Sequence, residues 1–203
     1  MTDLPANITA VAHQIDAEAR RRRFGHQGGV VWLTGLSGSG KSTIGVALEA
    51  HLFAAGMNAV LLDGDNLRHG LTSDLGFSPD DRRENLRRVG EVAALFAKSG
   101  AIVITALISP YSEDRARARK AANGQFIEVY VAADLDTCKA RDPKGLYAKA
   151  ISGEISEFTG VSAPYEVPTA PDLRIDTTIT DLDACVAAIA TEAKVRFIGD
   201  MSA

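Results

Sequence analysis

This chain of 203 residues has few cysteines, no long apolar run and no excess of positive charge. Its two cysteines, Cys138 and Cys185, are too few for a disulfide framework and show no metal-ligand spacing. No stretch approaches the roughly 18 apolar residues of a membrane helix, and residues 1–19 lack the apolar core of a signal peptide. The formal charge of −4 argues against a nucleic-acid surface. These absences predict a cytoplasmic protein with a small-molecule partner and neither a nucleic-acid nor a membrane partner.

The composition is that of an ordinary globular protein, with 46% hydrophobic and 24% charged residues. A chain of this length and composition can bury one sizeable core, so we expect one main domain. The four arginines at 20–23 have acidic and polar neighbours, which favours a solvated arm or helix face over a binding patch. We therefore assign residues 1–24 to an N-terminal extension and residues 25–203 to the domain.

Short apolar runs alternate with longer segments of helical periodicity. The runs cover residues 30–34, 59–62, 101–107, 126–131 and 173–175. This alternation predicts an α/β fold, with an open, predominantly parallel five-stranded sheet and helices on both faces. The runs at 59–62 and 101–107 are nearly all apolar, which predicts strands that are covered on both faces.

Three helices have clear signals in the pattern. Their apolar stripes are Ile44, Leu48 and Leu52 in the first, Leu86, Val89, Ala93 and Phe96 in the second, and Val186, Ile189, Ala193 and Phe197 in the third. Ser78 is suited to cap the second helix and Pro79 to occupy its first position. Glycines at 56 and 100 are suited to end the first and second helices.

Residues 142–171 do not follow this scheme. They contain four of the seven prolines and no sustained periodicity. A loop of this length in a compact domain is usually functional, and the mixture of charged and aromatic residues favours a closing lid. We therefore predict a lid at about 142–171.

The most specific motif is Gly35-Leu36-Ser37-Gly38-Ser39-Gly40-Lys41-Ser42, a complete phosphate-binding loop (P-loop). It follows the apolar run at 30–34 and precedes a helical segment, which is the context that such a loop requires. The glycines let backbone N–H groups converge on phosphate oxygens, Lys41 reaches the β- and γ-phosphates, and the Ser42 hydroxyl binds Mg²⁺. The motif predicts binding of a nucleoside triphosphate with Mg²⁺.

Two carboxylates, Asp63 and Asp65, directly follow the second predicted strand. They are therefore expected at the carboxyl edge of the sheet, where ligands bind in open α/β folds. One suits Mg²⁺ or its water shell, and the other suits an attacking hydroxyl group as a base or an orienting group. The sequence alone does not divide these roles. A simple turn built from Asp-Gly and Asp-Asn is the competing interpretation.

A possible acceptor pocket follows further along the chain. Phe77 precedes a helix on which Arg82 and Asn85 share a face, a group that suits a nucleotide-like acceptor because arginine matches phosphate or sulfate oxygens and a phenyl ring can stack on a purine. Plain surface arginines are the alternative. Ser109 is delivered to the same edge by the third strand, where a hydrogen-bonding role is more common than a nucleophilic one.

Taken together, the chain closely resembles the adenylyl-sulfate kinase family from about residue 29 to residue 177. The resemblance rests on the segments 32–43, 62–68, 74–88, 106–111, 141–147, 158–160 and 164–168. It implies a P-loop NTPase-type kinase domain that uses ATP to phosphorylate the 3′-hydroxyl of adenosine 5′-phosphosulfate in sulfate activation. It also implies a homodimer, and an ATP sulfurylase is a possible partner.

The resemblance also implies roles for individual residues. ATP would be bound by Gly35, Leu36, Ser37, Gly38, Ser39, Gly40, Lys41, Ser42, Thr43 and Arg141, with Ser42 and Asp63 as the metal ligands. The sulfate nucleotide would be bound by Asp65, Arg68, Phe77, Arg82, Asn85, Ile108, Ser109, Lys144, Phe158 and Thr159, with its adenine between Phe77 and Phe158. The catalytic candidates are Lys41, Asp63, Asp65, Lys144 and Ser109, the last as a candidate phosphoserine. We favour direct in-line transfer, because phosphoryl transfer needs mainly positioning and charge neutralisation.

Two other functions remain as alternatives at this stage. Another small-molecule kinase of the same fold, acting on a nucleoside or gluconate, would keep the loop and the lid but need a different acceptor pocket. A catalytically silent regulatory domain would not need Lys41, Ser42, Asp63 and Asp65 together. Departures from the family pattern, such as Lys139 in place of a glutamate, remove none of the proposed ligands.

Overall fold

Five parallel strands form one sheet in the computed structural model, which describes residue 9 and residues 11–199. The strands are β1 (Gly29–Thr34), β2 (Ala59–Asp63), β3 (Ile102–Ala106), β4 (Phe126–Ala132) and β5 (Leu173–Asp176), and their order in the sheet is β2-β3-β1-β4-β5. Each pairs with its neighbours in parallel register. The five predicted strands are confirmed, and their ends differ from the predicted ones by at most one residue.

Burial differs between the central and edge strands. Every residue of β1 and β3 is buried, as the apolar composition of β3 predicts. The same prediction for β2 is wrong, because β2 lies at the edge of the sheet and three of its five residues are only half-buried. A carboxylate from the neighbouring helix protects this edge, since the Leu61 N–H donates to Glu49 Oε1 at 2.6 Å.

The described residues form eight helices, of which six lie between strands. They are α1 (Ala17–Phe24), α2 (Lys41–Ala54), α3 (Gly64–Arg68), α4 (Pro79–Lys98), α5 (Ser112–Ala121), α6 (Leu135–Arg141), α7 (Leu146–Ile151) and α8 (Leu182–Phe197). The three helices predicted from periodicity correspond to α2, α4 and α8. The shorter helices had no apolar stripe long enough to identify them.

Helices cover both faces of the sheet, as predicted. On one face α2 and α8 pack together and contribute Leu48 and Ile189 to an apolar cluster with the sheet. On the other face α4 and α5 pack together and contribute Val89 and Ala118 to a second cluster. Each fully buried Leu, Ile or Val side chain stabilises the fold by about 1.5–3 kcal/mol.

The ends of α4 follow the predicted chemistry. Ser78 caps the helix by accepting a hydrogen bond from the Asp81 N–H at 3.2 Å, and Pro79 occupies the first position. Gly100 lies just beyond the helix with φ of +98°. One member of the predicted stripe is misplaced: Phe96 is 43% exposed, because it lies in the last turn of α4 at the rim of the sheet.

The predicted lid contains one regular element, α7, which is capped by the Asp142 carboxylate. Its Tyr147 and Phe158 form a third apolar cluster with Cys138 of α6. The N-terminal extension is described from residue 9 with the exception of residue 10, and its α1 is held against the end of α4 by a hydrogen bond from Arg20 Nη1 to the Ser99 carbonyl (3.0 Å). Residues 1–8, 10 and 200–203 lie outside the described residues.

None of the described helices combines the length and the apolar content that crossing a membrane requires.

Candidate active site

The carboxyl ends of four strands surround one large cavity. The P-loop follows β1, Asp63 ends β2, the segment 107–110 follows β3, and Thr177 follows β5. The cavity has a volume of about 1250 Å³ and extends from the P-loop to the lid. Its position is the one that open α/β sheets offer to ligands, where the strand order reverses beside β1.

The P-loop has the backbone shape that its glycines predict. Gly38 and Gly40 have φ of +75° and +99°, a region that residues with a Cβ rarely adopt. At Gly38 the space is also restricted, because an added Cβ would lie 2.9 Å from the Cys138 carbonyl oxygen. Substitution of this glycine would therefore distort the loop.

Lys41 lies inside the curve of the loop. Its Nζ donates to the carbonyl groups of Gly35 (2.9 Å) and Leu36 (2.7 Å). Burial lowers the pKa of Lys41 to about 8, and the nearby Cys138 and Asp63 oppose this shift. The ammonium group therefore lies where the cavity and the loop meet, with an unusually low pKa.

Asp63 makes hydrogen bonds to the P-loop on one side of the cavity and to α3 on the other. Its Oδ2 accepts a hydrogen bond from Ser42 Oγ at 2.7 Å, and its Oδ1 caps α3 by accepting from the Asp65 N–H at 3.0 Å. The Asp65 side chain is exposed and makes an ion pair with Lys144 of the lid. The two aspartates therefore have different surroundings: one is held at the P-loop, and the other contacts the lid.

Hydrogen bonds from α4 hold both the Phe77 loop and the lid. Arg82 donates to the carbonyl of Phe77 (2.9 Å), to the carbonyl of Glu157 (2.6 Å) and to Thr159 Oγ1 (3.0 Å). One turn further on, Asn85 is only 6% exposed, and its Oδ1 has no hydrogen-bond partner among the residues that the structure describes. A buried acceptor of this kind at a cavity wall is suited to a ligand's donor group.

Two aromatic side chains lie at the far end of the cavity. The Phe77 ring is 63% exposed, and the Arg68 guanidinium lies 4.2 Å from its centroid. Phe158 is buried and packs edge-on against Tyr147, with 5.0 Å between the ring centroids. Tyr147 in turn donates a hydrogen bond from its hydroxyl group to the Ser37 carbonyl of the P-loop at 3.0 Å. Burial raises the pKa of Tyr147, so this hydroxyl remains a donor.

Nearly all of the predicted site residues meet at this cavity. The ten residues predicted to bind the acceptor all line it: Asp65, Arg68, Phe77, Arg82, Asn85, Ile108, Ser109, Lys144, Phe158 and Thr159. Of the predicted ATP contacts, Ser37, Gly38, Gly40, Lys41, Ser42, Thr43 and Arg141 also line it. Gly35, Leu36 and Ser39 do not; these three members of the loop accept hydrogen bonds from Lys41 Nζ instead.

Comparison with known proteins identifies the family of this chain. A sequence model of the family described as adenylylsulphate kinase matches residues 27–176. The chain belongs to this family. Its curated relatives include the adenylyl-sulfate kinases of Prochlorococcus marinus, 54% identical over 92% of this chain and 93% of the relative, and of Shewanella pealeana, 57% identical over 87% of each.

Among solved structures, the chain is similar to the APS kinase of Mycobacterium tuberculosis in complex with AMPPNP and APS. The TM-score is 0.79 and the sequence identity 49%, over 81% of this chain and 96% of the other. The kinase class and the P-loop kinase fold that the family resemblance implies are therefore confirmed.

The sequence pattern did not identify three residues near the site of this family member: Thr177, Tyr147 and Arg115. Thr177 accepts a hydrogen bond from Arg141 (3.0 Å) and donates to the Ser39 carbonyl (3.0 Å), and its place directly after β5 was a usable signal. Tyr147 is inside a segment that carries the resemblance but had no assigned role. Arg115 has no signal in the pattern, because two of its three partners, Glu128 and Glu166, are 13 and 51 residues away.

Proposed function

We propose that this chain transfers the γ-phosphoryl group of ATP to the 3′-hydroxyl of adenosine 5′-phosphosulfate, giving 3′-phosphoadenylyl sulfate and ADP. The observation that carries the proposal is the shared cavity, in which the predicted acceptor residues face the P-loop residues Lys41 and Ser42. ATP binds with its phosphates at the P-loop and near Arg141. The sulfate nucleotide binds between Phe77, α4 and the lid.

The different surroundings of the two aspartates support different roles for them. Asp63 is already hydrogen-bonded to Ser42, and both offer the hard oxygen atoms that Mg²⁺ prefers, so these two residues fit the metal. A bound Mg²⁺ would neutralise charge on the β- and γ-phosphates. Asp65 is on the acceptor side, where it accepts the proton of the 3′-hydroxyl or orients that group for in-line attack.

The lid supplies charge and excludes water. Lys144 contacts Asp65 from the lid, so it lies beside the place where the phosphoryl group is transferred. A positive charge there stabilises the negative charge on the equatorial oxygens, and a closed lid prevents hydrolysis of ATP. The acceptor's adenine lies against Phe77, with Phe158 as the second ring of its pocket. Arg82 and Asn85 complete the acceptor contacts.

The resemblance carries three further proposals. The chain forms a homodimer, it works with an ATP sulfurylase that supplies its acceptor, and it functions in the cytoplasm. They rest on the family pattern and on the absence of charge and hydropathy features that would favour other partners.

A coupled ADP-release assay with ATP and Mg²⁺ tests the proposed reaction. Adenosine 5′-phosphosulfate is compared with AMP, adenosine and gluconate, and NMR locates the new phosphate. We expect rapid turnover with the sulfate nucleotide alone and phosphorylation at its 3′ position. If it is inert while another acceptor reacts, the acceptor assignment is wrong.

Substitution of the aspartates tests the roles in the same assay. Asp63→Asn and Asp65→Asn should each lower kcat by about 10²- to 10⁴-fold, the usual contribution of a positioned acid or base or of a metal-site carboxylate. Only Asp63→Asn should raise the Mg²⁺ concentration that gives half-maximal activity. Asp136→Asn is the matched control, because that carboxylate is exposed on α6 and outside the cavity. Normal kcat in both active-site variants would contradict the assignment.

A further inference from the structure

Arg115 of α5 is a buried arginine outside the cavity. It is 3% exposed, and its guanidinium group contacts three separate segments. Nε donates to Glu128 Oε1 of β4 at 2.8 Å, Nη1 to the Ser109 carbonyl at 2.8 Å, and Nη2 to the Glu166 carbonyl at 2.9 Å. Only the planar, five-donor group of arginine can satisfy three acceptors that are arranged around it in this way.

The first carbonyl belongs to a strained residue at the cavity wall. Ser109 has φ of +41°, a left-handed conformation that costs a residue with a Cβ about 1–3 kcal/mol and persists only when its surroundings enforce it. Two groups from β1 contribute to this restraint. Trp32 Nε1 donates to Ser109 Oγ at 3.0 Å, and Thr34 Oγ1 donates to the adjoining Ile108 carbonyl at 2.8 Å.

The second carbonyl belongs to the part of the lid nearest the sheet. Besides Arg115, Glu166 is held by its own N–H, which donates to the Pro110 carbonyl at 2.8 Å. Its carboxylate accepts from the Ser112 N–H (2.8 Å) and from Ser112 Oγ (2.6 Å). The chain from Ser109 to Ser112 and the residue Glu166 thus form one hydrogen-bonded unit, with Arg115 beneath it.

We propose that Arg115 is a positioning residue for phosphoryl transfer, which acts by fixing the Ser109 turn to the Glu166 end of the lid. Arg115 then keeps a constant distance between two parts of the acceptor site. One is the Ser109 turn, which faces the acceptor, and the other is the Glu166 end of the lid, which closes over it. This inference rests on the proposed function, because Ser109 and Ile108 line the acceptor side of the cavity. It also gives Ser109 a part that needs no phosphorylation: its hydroxyl accepts from Trp32, and the residue is 2% exposed.

Steady-state kinetics of Arg115→Lys and Arg115→Met test the proposal. A lysine keeps the charge but cannot reach both carbonyls and Glu128 together. We expect kcat/KM for adenosine 5′-phosphosulfate to fall by about ten- to a hundredfold, mainly through a higher KM for this substrate, since misplacing a substrate-positioning group by about 1 Å has rate effects of this size. The KM for ATP should stay within about twofold, because Arg115 makes no contact with the P-loop. A purely structural role would instead lower the melting temperature and the active fraction, with both KM values unchanged.

Glu128→Gln is the matched control. It removes the charge of the carboxylate partner but leaves both carbonyl contacts of Arg115 in place. If the acceptor KM rises equally in Glu128→Gln and Arg115→Lys, the effect comes from the ion pair, and the proposal is overturned.

The single tryptophan gives a second measurement that needs no activity. Trp32 is fully buried and bonded to Ser109, so its fluorescence reports the state of the turn. Ser109→Ala calibrates the emission of Trp32 without this hydrogen bond. We expect the emission of folded Arg115→Lys to shift towards that of Ser109→Ala. Wild-type emission together with a wild-type acceptor KM would overturn the inference. Failure of the unmodified chain to phosphorylate the sulfate nucleotide would overturn the proposed function instead, and emission would still test the Arg115 contact.

Discussion

The protonation state of Lys41 affects nucleotide binding. Its pKa is about 8 because it is buried, so an increasing fraction becomes neutral as the pH rises through this value and can no longer pair with phosphate. We expect the Kd for a non-hydrolysable ATP analogue, measured by calorimetry, to rise by up to about tenfold for each pH unit above about 8. The complex should take up a proton in this range, because bound phosphate raises the pKa of Lys41.

Lys41→Met is the control for this pH dependence. It should bind the analogue weakly and show no such slope. A constant Kd for the unmodified chain between about pH 7.5 and 9.5 would contradict the prediction.

The effect of Lys41 ionisation on folding stability has the opposite direction. The unfolded chain binds more protons between about pH 8 and the ordinary lysine pKa of 10.5, so the contribution of Lys41 to the free energy of unfolding rises over that window.

For individual residues, the sequence predicted those whose role follows from a continuous motif or from a position next to a strand. Lys41 and Ser42 follow from one continuous motif, and Asp63 from its place directly after a strand. Arg115 and Trp32 could not be found in this way. Arg115 binds Glu128 and Glu166, which are 13 and 51 residues away, and Trp32 binds Ser109, 77 residues away, so these contacts depend on the folded topology. The positive φ of Ser109 was equally hidden, since serine does not favour that conformation.

The lid helix α7 is joined to the P-loop by one hydroxyl group. Tyr147 is 1% exposed and donates to the Ser37 carbonyl, while its ring packs against Phe158. Tyr147→Phe keeps the ring and removes the hydrogen bond, which contributes about 0.5–1.5 kcal/mol. We expect the KM for ATP to rise by about two- to tenfold in the steady-state assay, and the melting temperature to fall by no more than about 6 °C.

Tyr130→Phe is suited as the comparison for this variant. Its ring stacks on Tyr165, and within residues 9 and 11–199 its hydroxyl group has no recorded hydrogen-bond partner. We expect both KM values of Tyr130→Phe to match those of the unmodified chain. An equal increase in both variants would show that the Ser37 contact is not the cause.

Elements with a long apolar period were predictable, and the short ones were not. The stripes of α2, α4 and α8 and the five apolar runs identified the sheet and its covering layers. Helices α3, α6 and α7 have five to seven residues each, too few for a period to appear. The edge position of β2 was also outside the reach of the pattern, because strand order is decided by long-range pairing.

For the molecule as a whole, Asp172 joins three elements at the base of the sheet. Its carboxylate accepts from the Glu128 N–H of β4 (2.8 Å), from Arg119 of α5 (2.6 Å) and from Arg196 of α8 (3.2 Å). Burial acts to raise the pKa of Asp172, but these hydrogen bonds and charges lower it overall. We expect Asp172→Asn to reduce the free energy of unfolding at neutral pH by about 1.5–3 kcal/mol, measured by urea denaturation.

The stabilisation by Asp172 should depend on pH in a definite direction. Because the pKa in the folded chain is below its ordinary value, the stabilisation by Asp172 is present above about pH 4 and is lost as the pH falls through the folded pKa. The difference between Asp172→Asn and the unmodified chain should therefore shrink in acid. Glu91→Gln, on the exposed face of α4, should leave stability within about 0.5 kcal/mol. A difference that stays constant down to about pH 2 would contradict the assignment.

The three apolar clusters of the part of the chain that the structure describes share no residue, and the lid cluster around Tyr147 and Phe158 is separate from the two that hold the sheet. Substitutions within the lid cluster therefore change the packing of Tyr147 and Phe158 without removing a member of the two clusters that hold the sheet. In evolutionary terms, selection can change which molecule receives the phosphoryl group without first having to restabilise the fold, while the P-loop and its donor chemistry are retained.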